Sequence, residues 1–270
     1  MQKSLSPNYS EGLLEFAKYA FAPNYFSYCG PNRNSDIKQA IIGSYNQNEL
    51  RLILNGFEAA VPYLNLIARS NKIKDIFDPR VVEAYWLGNT LLNRVPASNM
   101  YNHLEDRVKK RSKKNWREIA RQVENRAKPH HSFHVFDIYR FAGLTGDGSR
   151  EIKVIEMMNS CRISFGRVQK TKSEKRKATV CHPEQSEGFC GLSNSDGETV
   201  RVKTDKIELV GGKLALVDSE SEVEDTFGVA KTGDLVSVHW GMICDKLSAR
   251  EAKNLNFWTK YHLNISNQRI

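Results

Sequence analysis

Residues 233–252 read GDLVSVHWGMICDKLSAREA, and this stretch decides the fold. The run LVSVHW is β-branched and alternates, which predicts a strand. Successive side chains then point to opposite faces: Val236, Val238 and Trp240 on one, Leu235, Ser237 and His239 on the other. The histidine falls on the less apolar face. A few residues on, Ser248 and Glu251 make the S-x-x-E pattern in which hydroxyl and carboxylate satisfy each other's backbone amides at a helix start. Leu255, Trp258 and Tyr261 or His262 give that helix an apolar face. The stretch therefore predicts a terminal strand followed by a capped C-terminal helix.

Upstream, the runs CRISFGRVQ (161–169), TVRVK (199–203), KIELV (206–210) and KLALVD (213–218) are short, β-rich and punctuated by glycine, so they read as further strands. Gly211-Gly212 sits between the last two as a two-residue hairpin turn, where positive φ angles favour glycine. Several short strands with little helix between them predict a small β-barrel over residues 151–270. Residues from about 170 to 197 are polar and aperiodic and predict a disordered insertion.

Residues 1–150 read as helical. EGLLEFAKYAF (11–21) carries a stripe at Leu13, Leu14, Phe16, Ala17 and Phe21, and the pattern resumes over 45–70 with a break near Pro62. Asp78-Pro79 predicts another helix start, a capping carboxylate followed by a proline that wastes no donor. A further helix is expected from near Asn102. The fold class is thus α+β: an all-helical domain, then a small barrel with a C-terminal helix.

The 270-residue chain is 40% hydrophobic, enough for a sizeable core, and has no run of about 18 apolar residues. A soluble, cytoplasmic protein is expected. Its five cysteines are scattered without a CxxC pair, which argues against a disulfide framework or a zinc ribbon. The net charge of +9 is concentrated. Residues 102–128 hold ten Lys/Arg against four Asp/Glu, and residues 167–177 six against one. Basic stripes suit nucleic acid or an acidic protein surface, yet the strands lack the exposed aromatics that stack bases, which argues against nucleic acid.

Three places hold residues with chemistry. Cys161 and His239 stand at the first and last strands, where a barrel rim can bring them together, and thiolate with imidazole suits a soft or borderline metal such as iron. The segment CRISFGRV resembles the opening of the HypC/HupF hydrogenase assembly chaperone family: a cysteine, a glycine five positions on and a valine two later, here Cys161, Gly166 and Val168. The family's Gly-Asp, hydrophobic strand, His, Gly, Lys-Leu and Glu-Ala succession is matched at Gly233, Asp234, LVSVH, Gly241, Lys246-Leu247 and Glu251-Ala252. The resemblance covers roughly residues 158–263. It implies an OB-like barrel and a non-enzymatic, metallochaperone-like assembly factor for nickel–iron hydrogenase maturation. Such a factor carries an iron centre with cyanide and carbonyl ligands, and its partners are the hydrogenase large subunit or a maturation scaffold protein. The family's cysteine and histidine map to Cys161 and His239. The family cysteine is normally the processed N-terminus, whereas Cys161 is internal; Phe165 and Ile163 stand where the family has proline and glycine.

The second place is KPHHSFHVFDIY (128–139), where a helix would put His130, His134 and Asp137 on one face with His131 beside them, a metal or acid–base set for an enzyme. The third is Cys29, in a Cys-Gly-Pro turn among aromatics. The competing expectations are therefore an assembly factor using Cys161 and His239, a metal-dependent enzyme using the histidine cluster and Cys29, and an OB-like nucleic-acid binder.

Overall fold

The stripe that begins at Leu13 folds as helix α1 (Pro7–Tyr25), and its Leu13, Phe16, Ala17 and Ala20 are completely buried. A computed structural model describes residues 7–43, 45–105, 126–138, 148–169, 179–181, 190–192 and 197–268. After α1 come α2 (Asn34–Ile42), α3 (Gln47–Asn55), α4 (Val61–Ser70), α5 (Pro79–Trp86) and α6 (Ala97–Leu104). The break expected near Pro62 separates α3 from α4, with the proline in the first turn of α4. Asp78 caps α5 as its sequence predicts, Oδ1 accepting the Arg80 N–H at 3.0 Å. The core is aromatic: the ring of Phe16 meets those of Phe57, Phe77 and Trp86 at 5.5–5.6 Å. The helix start expected near Asn102 falls inside α6, which begins at Ala97, and most of the basic stripe at 102–128 lies outside the described residues.

The β-rich part opens with a helix, α7 (Gly148–Cys161), which leads into β1 (Ser164–Val168). Then follow β4 (Glu198–Val210), β5 (Lys213–Asp225), β6 (Leu235–His239) and β7 (Met242–Lys246). Strand β1 pairs with both β4 and β6, and β5 with both β4 and β7, so the order β1-β4-β5-β7-β6 closes on itself. Val168, Val200, Val202, Val223, Val236, Val238 and Ile243 form the core of this ring. Gly166 permits the closure, because a Cβ there would overlap the Lys203 carbonyl oxygen of the adjoining strand.

TVRVK and KIELV, read from sequence as two strands, are one 13-residue strand. The polar residues between them are not a break, because Thr204 donates its hydroxyl to the Phe165 carbonyl at 2.9 Å and Asp205 pairs with Arg162. The Gly211-Gly212 turn is present, with both residues at positive φ (59° and 77°). Within 170–197 the described residues are Gly197 and the two short strands β2 (Thr179–Cys181) and β3 (Cys190–Leu192), paired with each other. The rest of the predicted insertion lies outside the described residues.

The last helix, α8 (Ala249–Asn267), starts at the predicted capping box: Ser248 N donates to Glu251 at 2.8 Å and Glu251 N to the Ser248 hydroxyl at 3.2 Å. The chain forms two compact units, Met1–Asp137 with Asn254–Ser266, and Ile138–Lys253 with Asn267–Ile270. Most of α8 therefore groups with the helical unit, against an expected boundary near residue 150. No described helix is long and apolar enough to cross a membrane.

Candidate metal centre

In the ring unit, the β1–β6 ladder pairs Ser164 with Val238, and its end carries both candidate residues. Cys161 is the last residue of α7 rather than the first of a strand, and His239 is the last of β6. The turn after His239 holds them in register: Trp240 N donates to the Ser160 carbonyl at 2.8 Å, joining the two neighbours of the pair. As a result the Cys161 sulfur and an imidazole nitrogen of His239 lie within 4.8 Å of each other. Both side chains are buried.

Two local features shape this end of the ring. Trp240 (φ 52°) and Gly241 (φ 74°) form the turn between β6 and β7, both in the left-handed region. Glycine tolerates that conformation, and tryptophan costs about 1 kcal/mol or more there. The second is a bulge: β6 pairs Ser237 with Asp245 but Val238 with Ile243, which leaves Cys244 as the extra residue of β7. Ser237 spans the irregularity, donating its hydroxyl to the Asp245 carbonyl and accepting the Asp245 N–H, both at 3.2 Å. Bulges re-aim side chains beside functional sites, and this one lies two residues from His239.

Next to Cys161, buried Arg162 reaches Asp205, its Nη2 at 2.7 Å from a carboxylate oxygen and 2.8 Å from the backbone oxygen. Burial draws the guanidinium below its usual range, and the Asp205 carboxylate opposes that shift. The segment joining α7 to β1 is thus fastened to β4 on the residue after Cys161. A thiol and an imidazole at this separation can hold a metal ion, and two protein donors leave coordination positions for other ligands.

The histidines of the helical unit are used differently. His130 caps a short helical turn (His131–Phe133), and a π-helical stretch (His134–Ile138) follows, so the regular helix that would align His130, His134 and Asp137 does not form. The Asp137 side chain lies outside the described residues. Lys128 N donates to His262 Nε2 at 3.1 Å, which puts the proton of the neutral ring on Nδ1, 2.7 Å from the Ser132 hydroxyl. That hydroxyl lies 2.7 Å from His130 Nδ1, which also accepts the Ser132 N–H at 3.1 Å. The outcome is a buried His262–Ser132–His130 chain. Burial holds His130 well below its ordinary pKa, helped by repulsion from His262, while a bond to the Leu87 backbone acts in the opposite sense. Burial takes His262 to about 3 and His134 to about 4. His131 is buried, its Nδ1 3.2 Å from the Tyr85 hydroxyl.

Cys29 is half-buried, and burial raises its thiol pKa against a lowering bond to the Gly30 backbone. Buried Asn24 stitches this turn, its amide donating to the Cys29 carbonyl at 2.9 Å and to that of Pro31. Cys29, His130 and His134 join no group of three or more metal-donor side chains among the described residues. Sequence reasoning missed Ser132 and His262 as partners of His130. A serine between histidines and a histidine four residues beyond Trp258 were the available signals.

Fold and site together define a two-unit α+β protein, one unit helical and one a closed five-stranded ring that buries a thiol–imidazole pair. A family model described as "Family of unknown function (DUF6390)" matches residues 8–270, and the chain belongs to that family. No curated protein and no solved structure matches it.

Proposed function

We propose that the protein is an assembly factor of the hydrogenase-maturation type, whose ring is an OB-like barrel and whose Cys161 and His239 hold an iron centre as cargo. The observation that carries this reading is the approach of the two side chains to within 4.8 Å from opposite ends of the β-rich sequence. The donor set fits the cargo: a soft thiolate and a borderline imidazole suit iron, and open positions are what cyanide and carbonyl ligands need. The HypC/HupF-like blocks around Cys161 and His239 support the same assignment, and with it a hydrogenase large subunit or a maturation scaffold protein as the partner. The iron centre is carried rather than turned over, so the protein acts as a cytoplasmic metallochaperone, not an enzyme.

Infrared spectroscopy of protein purified without oxygen from cells making nickel–iron hydrogenase tests the proposal. Cyanide and carbonyl stretching bands with bound iron are expected, both lost in Cys161→Ser and His239→Gln. Bands that persist in both variants, or iron-free protein with no such bands, overturn it.

A further inference from the structure

The β4–β5 hairpin has two outer edges, and they differ. The ladder runs without a shift from Glu198↔Asp225 to Val210↔Lys213, so which residues turn their backbone outward can be followed along each strand. On β4 outward groups are taken at four successive outward residues: the Arg201 carbonyl by Gln169 N at 2.8 Å, Lys203 by the β1 ladder, the Asp205 carbonyl by Arg162, and both Ile207 groups by the Asn159 amide at 2.7 and 3.0 Å. On β5 the ends are taken too. Leu214 exchanges both its groups with the Asn267 side chain, and Glu224 N donates to the Gly241 carbonyl at 2.9 Å. These anchors fix the parity, so the residues between them that face outward are Leu216, Asp218, Glu220 and Glu222. Among the described residues no neighbouring strand pairs with the outward backbone of these four, and the Glu220 carbonyl accepts the adjacent Ser219 hydroxyl at 3.5 Å.

The open edge is about 20 Å long at the rise of a strand, and it is acidic. Asp218, Glu220 and Glu222 are exposed in a row on one face. Across the ladder from Glu220 and Glu222 stand Lys203 and Arg201, the latter 3.3 Å from Glu222. At these two positions charge alternates, positive on β4 and negative on β5, whereas Asp218 stands opposite Asp205, whose carboxylate Arg162 holds; an added strand continues the alternation if it is positive. The opposite face, with Ala215, Val217, Ser219 and Ser221, asks for small or apolar residues. A second copy of the same edge would place carboxylates against carboxylates, the arrangement by which proteins keep an edge from pairing with itself.

We infer that the Leu216–Glu222 edge of β5 is a docking site for an extended segment of a partner protein in which Lys or Arg alternates with small or apolar residues, bound as an added antiparallel strand. Backbone bonds supply the attachment and the acidic row selects the partner, as in other cases of strand addition. The chain's net charge of +9 repels basic peptides in general, so capture of one has to arise at this local reversal of sign. The site does not depend on the Cys161–His239 assignment.

The test uses the full chain and a synthetic peptide of about ten residues alternating lysine and valine, long enough to span the edge. Amide hydrogen exchange followed by NMR should slow about tenfold or more at Leu216, Asp218, Glu220 and Glu222. Val217 and Ser219, already in the β4 ladder, should be unchanged. Glu220→Pro removes an outward donor while leaving that ladder intact, and should abolish the protection. The double change Glu220→Lys, Glu222→Lys should weaken the basic peptide at least tenfold and admit a glutamate–valine peptide instead, and Cys161→Ser should change nothing. Binding without protection at the four amides, binding unaffected by Glu220→Pro, or protection produced by self-association in the absence of peptide overturns the inference.

Discussion

The two units each bury a cluster of nitrogen, oxygen or sulfur side chains, and they treat them in opposite ways. In the helical unit, His130 Nδ1, Ser132 and His262 bond one another and the backbone, and burial draws both imidazoles below the ordinary histidine range. In the ring, a strained turn and a bulge converge on the end of β6, bringing a thiol and an imidazole together from distant parts of the chain. A buried hydrogen-bond chain adds to packing, whereas strained backbone tends to cluster at functional sites. The histidine-rich segment, the secondary candidate in the sequence, engages His130 in a hydrogen-bond chain with Ser132 and His262.

The largest effect expected from this contrast is on metal. Cobalt(II) titration followed by thiolate-to-metal charge-transfer absorption should give a band that Cys161→Ser abolishes and His239→Gln shifts or abolishes. His262→Phe should leave it in place. A band lost in His262→Phe but retained in Cys161→Ser would invert the comparison.

Acid comes next. A histidine whose folded pKa lies below its unfolded value of about 6.5 binds its proton more readily in the unfolded chain, so stability is retained above that value and lost as pH falls. For His134, at about 4, and His262, at about 3, the loss runs from near the ordinary histidine range down to those values. Each contributes on the order of 1.4 kcal/mol per pH unit inside its window. Urea midpoints measured across this range should decline steadily below about pH 6.5. His262→Phe should flatten part of the slope; an unchanged slope would mean that the ring unit, not the histidine chain, sets the acid response.

A pair of serines sharpens the contrast further. Ser132→Ala removes the hydroxyl between two imidazoles, but Ser132 N still reaches His130 and the Trp258 carbonyl remains 3.2 Å from His262 Nδ1. The loss should be about 1–2 kcal/mol by denaturant titration, without change in the cobalt spectrum. Ser237→Ala should cost a similar amount and also alter that spectrum, because its hydroxyl spans the bulge beside His239. Equal spectral effects from both would remove the distinction between the clusters.

What the sequence discloses follows the range of the interaction. The Asp78-Pro79 start, the Gly211-Gly212 turn and the Ser248/Glu251 box are local chemistry, and each folds as its residues predict. The approach of Cys161 to His239 is not local; it is legible from their places at the first and last strands of an expected barrel, and the two blocks that resemble one family's pattern point to the same pair. Hidden from the sequence were the joining of two predicted strands into β4 and the helix that ends on Cys161. Both depend on partners far along the chain, Asp205 with Arg162 and Ile207 with Asn159. His262 was legible as a helix-face residue, not as a partner of Ser132, for the same reason.

The smallest expected effect separates the helix that carries His262 from the chemistry of His262. Ser248→Ala dismantles the capping box of α8, which is exposed and lies more than three turns from that histidine. An exposed cap of this kind contributes about 1 kcal/mol. Because the cap touches none of the groups around His262, the acid slope should keep its shape while the whole curve drops by that amount. A slope that changed with the cap would show that the His262–Ser132–His130 chain is held by the start of the helix and not by its own partners Lys128 and Trp258.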